Sequence, residues 1–255
     1  MSSGRTVIVT GAGAGIGRAC VARFAALGYR VVAADRDGDA AEASARLARD
    51  SHDAGAFPVA CDVADPADCA DLARRTIEKW GRIDTLVANA GIQVGGRLID
   101  TPEADWNRLI GVNLKGVADC CRAVLPTMIA QQSGSIVIVS SSNASRAPRG
   151  MAVYDVTKTG VLGLMRSLAV DHGGDGIRVN AVCPGATMTD HHIRAARSRG
   201  ISEAELRAKT AGYALLGRVA EPSEIAAAIA FLAGDDASFI TGTTLGVDGG
   251  FAIQG

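Results

Sequence analysis

The chain has 255 residues, a nearly balanced charge and an ordinary apolar content, and these properties exclude several classes of protein. Lys and Arg number 26 against 27 Asp and Glu, which gives a formal net charge of -1. That balance argues against a surface for nucleic acid or for anionic membranes. Apolar residues make up 48% of the chain, too many for a disordered protein, and no apolar run is long enough to span a bilayer. We therefore expect a soluble, cytoplasmic protein with neither a nucleic-acid nor a membrane partner.

Short runs of β-branched residues alternate with longer alanine-rich stretches along the chain. The short runs predict strands at Thr6–Thr10, Arg30–Asp35, Pro58–Asp62, Thr85–Asn89, Ser135–Ser140, Arg178–Cys183 and Thr243–Val247. The longer stretches predict helices at Gly15–Leu27, Asp39–Ser51, Pro66–Trp80, Pro102–Ala130, Val153–Asp171 and Pro222–Ala233. Strands that are apolar on both faces and alternate with helices indicate parallel pairing. We expect an α/β fold with a doubly wound, seven-stranded, mostly parallel sheet and helices on both faces.

The chain shows no internal repeat, charge block or linker that would mark a second domain. We therefore expect residues 1–255 to form a single domain. Residues 186–214 interrupt the regular alternation with a polar and basic sequence. Long insertions beside the carboxyl edge of a sheet often cover a binding site, so this segment is a candidate substrate lid.

The cysteines and histidines carry no recognisable metal-binding or disulfide pattern. The cysteines are expected to be small buried hydrophobic residues; they are Cys20, Cys61, Cys69, Cys120, Cys121 and Cys183. His191 and His192 are adjacent, and adjacent residues rarely point at one ion. No metal site is predicted.

A glycine-rich turn, Thr10–Gly17 (TGAGAGIG), joins the first predicted strand to the first predicted helix. Its spacing is Gly-x-x-x-Gly-x-Gly, through Gly11, Gly15 and Gly17, and the general G-x-G-x-x-G fingerprint is not met. Glycines let the backbone approach a pyrophosphate, whose charge is favoured by free N–H groups at a helix start. Close packing alone would also explain these glycines, so the surrounding residues decide between the two interpretations.

Asp35, at the end of the second predicted strand, favours the dinucleotide interpretation. A carboxylate at this position can accept hydrogen bonds from the adenosine ribose hydroxyls and would repel a 2′-phosphate. No Lys or Arg precedes Gly15 within the loop, although Arg36 directly follows Asp35. We expect NAD to be the cofactor, with NADP less favoured.

Tyr154 and Lys158 are four residues apart in a predicted helix, so their side chains project from one face. A lysine cation near a phenol favours the phenolate, and we expect it to lower the pKa of Tyr154 toward working pH. Ser141 follows an apolar strand, at the edge where open α/β sheets bind their ligands. Its hydroxyl could bind a substrate oxygen while Tyr154 exchanges a proton. The alternative is an exposed Tyr–Lys pair on a helix surface.

With these features the chain resembles the short-chain dehydrogenase/reductase family, in its single-domain branch. The likeness covers nearly the whole chain and rests on the order and spacing of several motifs. They are the turn Thr10–Gly17, Asp62 and Val63, the run Asn89–Gly91, Asn113, the serines Ser140–Ser142, Tyr154 and Lys158 in YDVTK, Pro184 and Gly185, Thr187 and Thr189. The resemblance implies a Rossmann-type fold and an NAD(P)-dependent oxidoreductase that interconverts a secondary alcohol and a ketone.

The same resemblance assigns roles to individual residues. The catalytic residues would be Asn113, Ser141, Tyr154 and Lys158, with Asn113 in a water relay behind Lys158. Without the resemblance, Asn113 would be interpreted as a packing or helix-kink residue, because asparagine is unfavourable inside a helix. The dinucleotide would contact Gly11, Gly15, Ile16, Gly17, Asp35, Asp62, Val63, Asn89, Gly91, Tyr154, Lys158, Pro184, Thr187 and Thr189. In that set Asp62 and Val63 would meet adenine, Asn89 the adenosine ribose region, Lys158 the nicotinamide ribose, and Thr187 and Thr189 the nicotinamide carboxamide.

The residues expected to face the substrate are polar. They are Gln93, Asn143, Arg149 and His191, with Arg146, His192 and Arg194 close by in sequence. They favour a sugar, a polyol or a hydroxy acid as substrate, although solvent-facing lid residues would show the same polarity. Ala144 stands where many family members have glycine, three residues after the catalytic serine, which weakens any analogy of substrate.

Two other functions stay open. One is a 3-oxoacyl or steroid-type carbonyl reductase of the same enzyme class. The other is a dinucleotide-sensing scaffold, which the complete set of Ser141, Tyr154 and Lys158 disfavours. The resemblance also implies a homotetramer or a homodimer, in which the helices Pro102–Ala130 and Val153–Asp171 pair across subunits.

Overall fold

The computed structural model describes residues 4–52 and 55–254. Its strands are β1 (Thr6–Thr10), β2 (Arg30–Asp35), β3 (Ala56–Ala60), β4 (Thr85–Ala88), β5 (Gly134–Val139), β6 (Ile177–Pro184) and β7 (Thr244–Val247). Its α-helices are α1 (Gly15–Ala26), α2 (Gly38–His52), α3 (Pro66–Trp80), α4 (Glu103–Ile110), α5 (Gly116–Gln131), α6 (Ala152–His172), α7 (Asp190–Arg197), α8 (Glu203–Ala211) and α9 (Pro222–Ala233). None of the helices in the described ranges is both long and apolar enough to cross a membrane.

The strands form one parallel sheet in the order β3-β2-β1-β4-β5-β6-β7. Strands alternate with helices along the chain, and the helices cover both faces of the sheet. The doubly wound, Rossmann-type α/β fold predicted from the sequence is therefore confirmed.

Burial on both faces explains why the strands are apolar throughout. Successive residues of a strand point to opposite faces. Ile8 belongs to the core cluster beneath α3, α5 and α6, whereas Val7 and Val9 belong to the cluster beneath α1, α2 and α9. All three side chains are completely buried.

The strand order reverses between β1 and β4, and this reversal locates the site. The connection after β1 crosses one face of the sheet and the connection after β4 crosses the opposite face, so a crevice opens at the carboxyl ends of these two strands. The turn Thr10–Gly17 follows β1 and the run Asn89–Gly91 follows β4. Ser141 follows β5 at the same edge, and Pro184 ends β6 there. The fold thus brings the motif residues to one edge of the sheet.

The prediction of one regular helix over Pro102–Ala130 is wrong in its centre and at its start. Pro102 precedes α4 in an extended conformation, with ψ 147°. Between α4 and α5 the residues Gly111–Lys115 form a π-helical turn. The side chain of Asn113 bonds to the main-chain N–H and carbonyl of Ile92, at 2.8 and 2.9 Å, at this turn. A π turn widens the helix locally and is frequent at functional sites.

The third strand begins and ends two residues earlier than the predicted Pro58–Asp62. β3 pairs only with β2, from Ala56 opposite Val31 to Ala60 opposite Asp35. Pro58 has no N–H to donate, but an edge strand needs donors on one side only, so proline lies within the strand rather than starting it. Asp62 consequently lies in the loop beyond the strand.

The candidate lid, residues 186–214, contains two helices that the sequence analysis does not predict. Helix α7 begins directly after Thr189. Helix α8 begins with a capping box, in which the side chains of Ser202 and Glu205 bond each other's main-chain N–H. Both helices are mostly polar and only eight and nine residues long, shorter than the stretch over which helical periodicity is recognised in a sequence.

The six cysteines are buried and free, as the sequence predicts. Cys69 and Cys120 approach each other, with 3.6 Å between their sulfur atoms, where α3 packs on α5. Within residues 4–52 and 55–254, no group of three or more His, Cys, Asp or Glu side chains is arranged to hold a metal ion.

Candidate active site

Tyr154 and Lys158 lie in the first turns of α6 and project from one face, as their spacing predicts. The Lys158 ammonium nitrogen is 5.8 Å from the centroid of the Tyr154 ring. Lys158 is only 5% exposed and donates a hydrogen bond of 2.9 Å to the main-chain carbonyl of Val139. Lys158 is thus buried and Tyr154 half-buried, so the interpretation as an exposed surface pair is wrong.

The expected lowering of the Tyr154 pKa by Lys158 is also wrong in this structure. Burial raises the pKa of Tyr154, and a hydrogen bond from the Ser141 hydroxyl offsets the rise only in part. The Lys158 ammonium donates to the Val139 carbonyl and lies 5.8 Å from the centroid of the Tyr154 ring. Burial also lowers the pKa of Lys158, to about 8.

Ser141 is brought beside Tyr154 by the turn that follows β5. Its hydroxyl lies near enough to the Tyr154 phenol to lower the pKa of that phenol, and its oxygen accepts the N–H of Asn143 at 3.2 Å. The neighbouring Ser140 instead donates to the carbonyl of Lys158 at 2.7 Å and ties β5 to α6. Ser141 is therefore the member of the serine run that faces the phenol.

Asn113 is completely buried behind Lys158. Besides its two bonds to Ile92, its side-chain nitrogen bonds to the hydroxyl of Thr157 at 3.2 Å. A Cβ atom built on Gly91 would lie 3.4 Å from both the Asn113 oxygen and the Lys158 nitrogen. Asn113 thus joins the π turn to α6 and to the segment after β4, and its role in a water relay stays a prediction.

The glycine turn after β1 is closely packed. Gly11 has a φ of +64°, and a Cβ atom on Gly17 would lie 2.0 Å from the Gly11 carbonyl oxygen. The side chain of Asn89 donates to the carbonyls of Thr10 and Gly11, at 2.8 and 3.3 Å. Part of the glycine pattern is therefore required by packing, which was the alternative interpretation, and Asn89 holds the loop in place.

The start of α1 also fits the phosphates of a dinucleotide. Its N-cap residue, Ala14, makes no side-chain hydrogen bond, and its first turn holds no acidic residue. Main-chain N–H groups in such a position attract anions. One anion is already present: the carboxylate of Asp190, from α7, accepts the Gly15 N–H at 3.0 Å. Ile16 follows Gly15 in this first turn.

Asp35 lies at the rim of the same turn. Its carboxylate accepts the N–H groups of Gly13 and Asp37, at 2.9 and 3.0 Å. Arg36 is exposed, whereas Arg18 lies within the site and is 3.5 Å from the carboxylate of Asp190. A negative group is thus fixed beside the glycine turn, where it favours hydroxyl groups over a phosphate.

The other predicted dinucleotide residues lie along the carboxyl edge of the sheet. Asp62 is exposed and Val63 is buried in the loop after β3. Beyond β6, the Thr187 hydroxyl donates to the Gly185 carbonyl at 3.0 Å, and the hydroxyl of Thr189 is 3.0 Å from a ring nitrogen of His192. The structure therefore distributes these residues along one crevice, on both sides of the glycine turn.

The residues predicted to face the substrate do not come together at one point as the catalytic residues do. Gln93 and Arg149 are exposed. The Asn143 amide donates to the carboxylate of Asp155 at 2.9 Å, so this side chain is already engaged. The side chain of His191 lies outside the described residues. Arg146 donates to the carbonyl of Phe251 at 3.0 Å and thereby joins the segment after Ser141 to the C-terminal segment.

Two residues that the sequence analysis does not select lie in the site. Asp155 directly follows Tyr154 and bonds Asn143, and Asp190 directly follows Thr189 and bonds the glycine turn. Both lie next to motif residues, which is the only sequence signal that could have drawn attention to them. Their partners are distant in sequence, so the pairing itself needs the folded structure.

Comparison with known proteins finds relatives over almost the entire chain. The family described as enoyl-(acyl carrier protein) reductase matches residues 11–252. Meso-2,3-butanediol dehydrogenase of Serratia marcescens is 41% identical over 246 residues, which are 96% of this chain and 94% of that protein. The 3-oxoacyl-[acyl-carrier-protein] reductase FabG of Thermotoga maritima is 36% identical over 253 residues, which are 98% of each protein.

Solved structures share the fold over the same extent. The crystal structure of levodione reductase superposes with a TM-score of 0.91 at 33% identity, over 99% of each chain. The structure of ElxO with NADP bound superposes with a TM-score of 0.90 at 30% identity, over 98% of this chain and 99% of that chain. Because the family match and the relatives extend over nearly the full length, the chain belongs to the short-chain dehydrogenase/reductase family, whose members are oxidoreductases that act on CH–OH groups with a nicotinamide dinucleotide.

Proposed function

We propose that this protein is an NAD-dependent dehydrogenase that interconverts a secondary alcohol and a ketone on a small polar substrate. The observation that carries the proposal is the convergence of Ser141, Tyr154 and Lys158 at the carboxyl edge of the sheet, beside the glycine turn. The nicotinamide, when bound, supplies or accepts the hydride. The protein's own residues orient the substrate and move the proton.

Tyr154 acts as the general acid or base in this proposal. When a ketone is reduced, its phenol donates the proton to the carbonyl oxygen, and when an alcohol is oxidised the phenolate accepts the hydroxyl proton. Ser141 hydrogen-bonds the same oxygen. Because burial raises the pKa of Tyr154, the phenol is protonated at neutral pH. That state suits ketone reduction, and we expect alcohol oxidation to become faster as the pH rises.

Asp35 supports NAD as the cofactor. Its carboxylate is fixed by two main-chain N–H groups beside the glycine turn and would repel a 2′-phosphate. Arg36 is exposed, and an arginine in that position could accommodate NADP, which is bound in the related ElxO. We further propose that Asp62 and Val63 contact adenine, that Lys158 holds the nicotinamide ribose, and that Thr187 and Thr189 contact the nicotinamide carboxamide.

The substrate is proposed to be a polyol, a sugar or a hydroxy acid. The relative from Serratia marcescens is named for a vicinal diol, which agrees with the polar residues at the edge of the site. The FabG relative favours a second candidate, reduction of a 3-oxoacyl group carried by a thioester. The two candidates differ in substrate charge and length, so one substrate panel distinguishes them.

The segment 186–214 is proposed to be a lid over the cofactor. Asp190 and Thr189 at its first helix already contact the glycine turn: Asp190 accepts the Gly15 N–H, and a Cβ atom on Gly15 would lie 3.1 Å from the Thr189 side chain. Slower proteolysis within this segment when NAD is present would support the lid, and equal rates with and without NAD would contradict it.

We also propose a homotetramer or homodimer in the cytoplasm. Val156 and Val170, on the outer face of α6, are 50% and 82% exposed, and such apolar side chains suit an interface between helices of two subunits. Six free, buried cysteines suit a reducing compartment. Light scattering that detects only a monomer at assay concentration would contradict the oligomer.

The decisive experiment measures nicotinamide absorbance, with NAD and NADP in parallel for the alcohols and with NADH and NADPH in parallel for the 3-oxoacyl thioesters. The panel holds vicinal diols, sugars, hydroxy acids and 3-oxoacyl thioesters. We expect turnover of a small polar alcohol with NAD. Turnover of an acyl thioester alone would favour the second candidate. Dinucleotide binding with no turnover of any alcohol or ketone would favour a sensing scaffold instead.

A further inference from the structure

The turn that follows Ser141 is tied to α6 by one side-chain hydrogen bond. The amide nitrogen of Asn143 donates to the carboxylate of Asp155 at 2.9 Å. Asn143 lies in the 3₁₀ turn Ser142–Ala144, and Asp155 lies in the first turn of α6, next to Tyr154. Both side chains are half-buried. The bond therefore links the segment that carries the serine to the helix that carries the tyrosine.

The same turn determines how the Ser141 hydroxyl is oriented. The Ser141 oxygen accepts the main-chain N–H of Asn143 at 3.2 Å, and the Ser141 carbonyl accepts the N–H of Ala144 at 3.0 Å. The Ser141 hydroxyl lies near enough to the phenol of Tyr154 to lower the pKa of that phenol. A movement of Asn143 would therefore reorient Ser141.

Asp155 also acts on Tyr154 through its charge. The titratable groups around the Tyr154 phenol are Asp155 and Lys158 on its own helix and Cys183 on β6. Burial is the largest cause of the raised pKa of Tyr154, and the negative charge of Asp155 raises it further. Burial raises the pKa of Asp155 itself, and its bond with Asn143 offsets this rise only in part.

We propose that Asp155 is a positioning residue, which holds Asn143 and through the turn 142–144 keeps the Ser141 hydroxyl beside Tyr154. The proposal rests on the proposed function, because it concerns the proton transfer by Tyr154. It reassigns Asn143 from a substrate contact to a part of this support. Because Asp155 directly follows Tyr154 in the first turn of α6, its carboxylate is also one of the charges beside the tyrosine.

Three variants separate position from charge. Asp155→Asn keeps an acceptor oxygen for the Asn143 amide but removes the charge. Asp155→Ala removes both the acceptor and the charge. Asn143→Ala removes the hydrogen bond but keeps the charge. Asp171→Asn, at the far end of α6 and exposed, removes a carboxylate from the same helix without touching the site and serves as the control.

The kinetic test measures alcohol oxidation with NAD as a function of pH. For Asp155→Asn we expect the kcat at the alkaline plateau to stay within about threefold of the wild type, with the acid limb displaced to lower pH. For Asp155→Ala and Asn143→Ala we expect kcat to fall by about tenfold or more, with the KM for NAD little changed. The double variant Asp155→Ala with Asn143→Ala should have a kcat no lower than that of the slower single variant, because each substitution breaks the same hydrogen bond. Asp171→Asn should match the wild type.

A spectroscopic titration gives a second readout that needs no turnover. The chain has three tyrosines, so the phenolate absorbance of each protein minus that of its Tyr154→Phe counterpart isolates Tyr154. We expect the Tyr154 transition to move to lower pH in Asp155→Asn and to stay in place in Asp171→Asn. Circular dichroism establishes that each variant is folded.

These results also separate the inference from the proposed function. If the wild type binds no dinucleotide and oxidises no alcohol, the proposed function fails, while the titration still tests the link between Asp155 and Tyr154. If the wild type is active but Asp155→Ala and Asn143→Ala keep its kcat, the positioning role is wrong. An unmoved Tyr154 transition in Asp155→Asn overturns the role of the charge.

Discussion

Lys158 donates its hydrogen bond to the main-chain carbonyl of Val139, at 2.9 Å, and this contact fixes the start of α6 against the carboxyl end of β5. The ammonium lies where little water reaches it, and burial lowers its pKa to about 8. A buried cation at neutral pH opposes folding, because the charge leaves water for a less polar surrounding. The charged, buried Lys158 therefore lowers the free energy of unfolding of the protein.

This cost predicts a pH-dependent difference in stability between the wild type and Lys158→Met. The folded-state pKa, about 8, lies below the usual 10.5, so between these values the unfolded chain binds more protons and this lysine makes the wild type more stable as the pH rises. Between pH 8 and pH 10.5 we expect the free energy of unfolding of the wild type to increase relative to that of Lys158→Met by up to ~3 kcal/mol. Urea denaturation at a series of pH values measures the difference.

Lys209→Met is the matched control for this measurement. Lys209 is exposed on α8, so the same substitution there should leave the difference in stability constant with pH. A constant difference for Lys158→Met as well would show that Lys158 is not a destabilised cation.

The carboxylate of Asp35 should determine the preference for NAD over NADP. Asp35→Asn removes the charge but keeps one acceptor oxygen, so it can accept only one of the Gly13 and Asp37 N–H groups, which bond separate oxygens of Asp35. Two charges 4 Å apart interact by ~4 kcal/mol at an effective dielectric of about 20, and about 1.4 kcal/mol of this is a tenfold change. We expect the ratio of kcat/KM for NAD to that for NADP to fall by about tenfold or more.

Asp37→Asn provides the comparison, because Asp37 lies two residues away and accepts the N–H groups of Asp39 and Ala40. Its substitution should leave the ratio nearly unchanged. Equal changes in both variants would point to a general loss of negative charge rather than to a contact with the ribose.

Gly17→Ala tests whether dinucleotide binding needs the close packing of the glycine turn, because the added methyl group would force the turn apart. The added Cβ would lie 2.0 Å from the Gly11 carbonyl, which cannot turn aside as a flexible side chain could. We expect the free energy of unfolding to fall by about 1–3 kcal/mol, and NAD binding, measured by fluorescence titration, to weaken along with it.

Gly212→Ala is suited as its control. Gly212 ends α8 with a φ of -67°, is exposed, and has no atom within 4 Å of an added Cβ. The free energy of unfolding should change by no more than about 0.5 kcal/mol. Unchanged stability and NAD affinity in Gly17→Ala would mean that the turn tolerates a side chain and that its packing is not needed for binding.

Features that depend on neighbours in sequence could be predicted. The apolar runs of β1 and β5 predict buried strands, and the spacing of Tyr154 and Lys158 predicts a shared helix face; the structure confirms these features. Gly81, which directly follows the predicted helix Pro66–Trp80, has a φ of +73° and ends α3. In each case the cause is local, since alternation, helical periodicity and left-handed backbone angles act within a few residues.

Features that depend on tertiary packing could not be predicted. The π turn around Asn113 forms where the amide meets Ile92, and Asn143 turns to Asp155 because α6 passes beside it. The raised pKa of Tyr154 follows from burial by the surrounding elements, which no spacing reveals. Helices α7 and α8 are shorter than the stretch over which helical periodicity is recognised.

Substitution of Tyr154 by phenylalanine, assayed with the best alcohol from the substrate panel, tests the proposed proton transfer most directly, because it removes only the hydroxyl. We predict that kcat/KM falls by about 10²–10⁴, while the Kd for NAD stays within about threefold of the wild type. A Tyr154→Phe variant that oxidises the alcohol at the wild-type rate would show that this phenol is not the acid or base of the reaction.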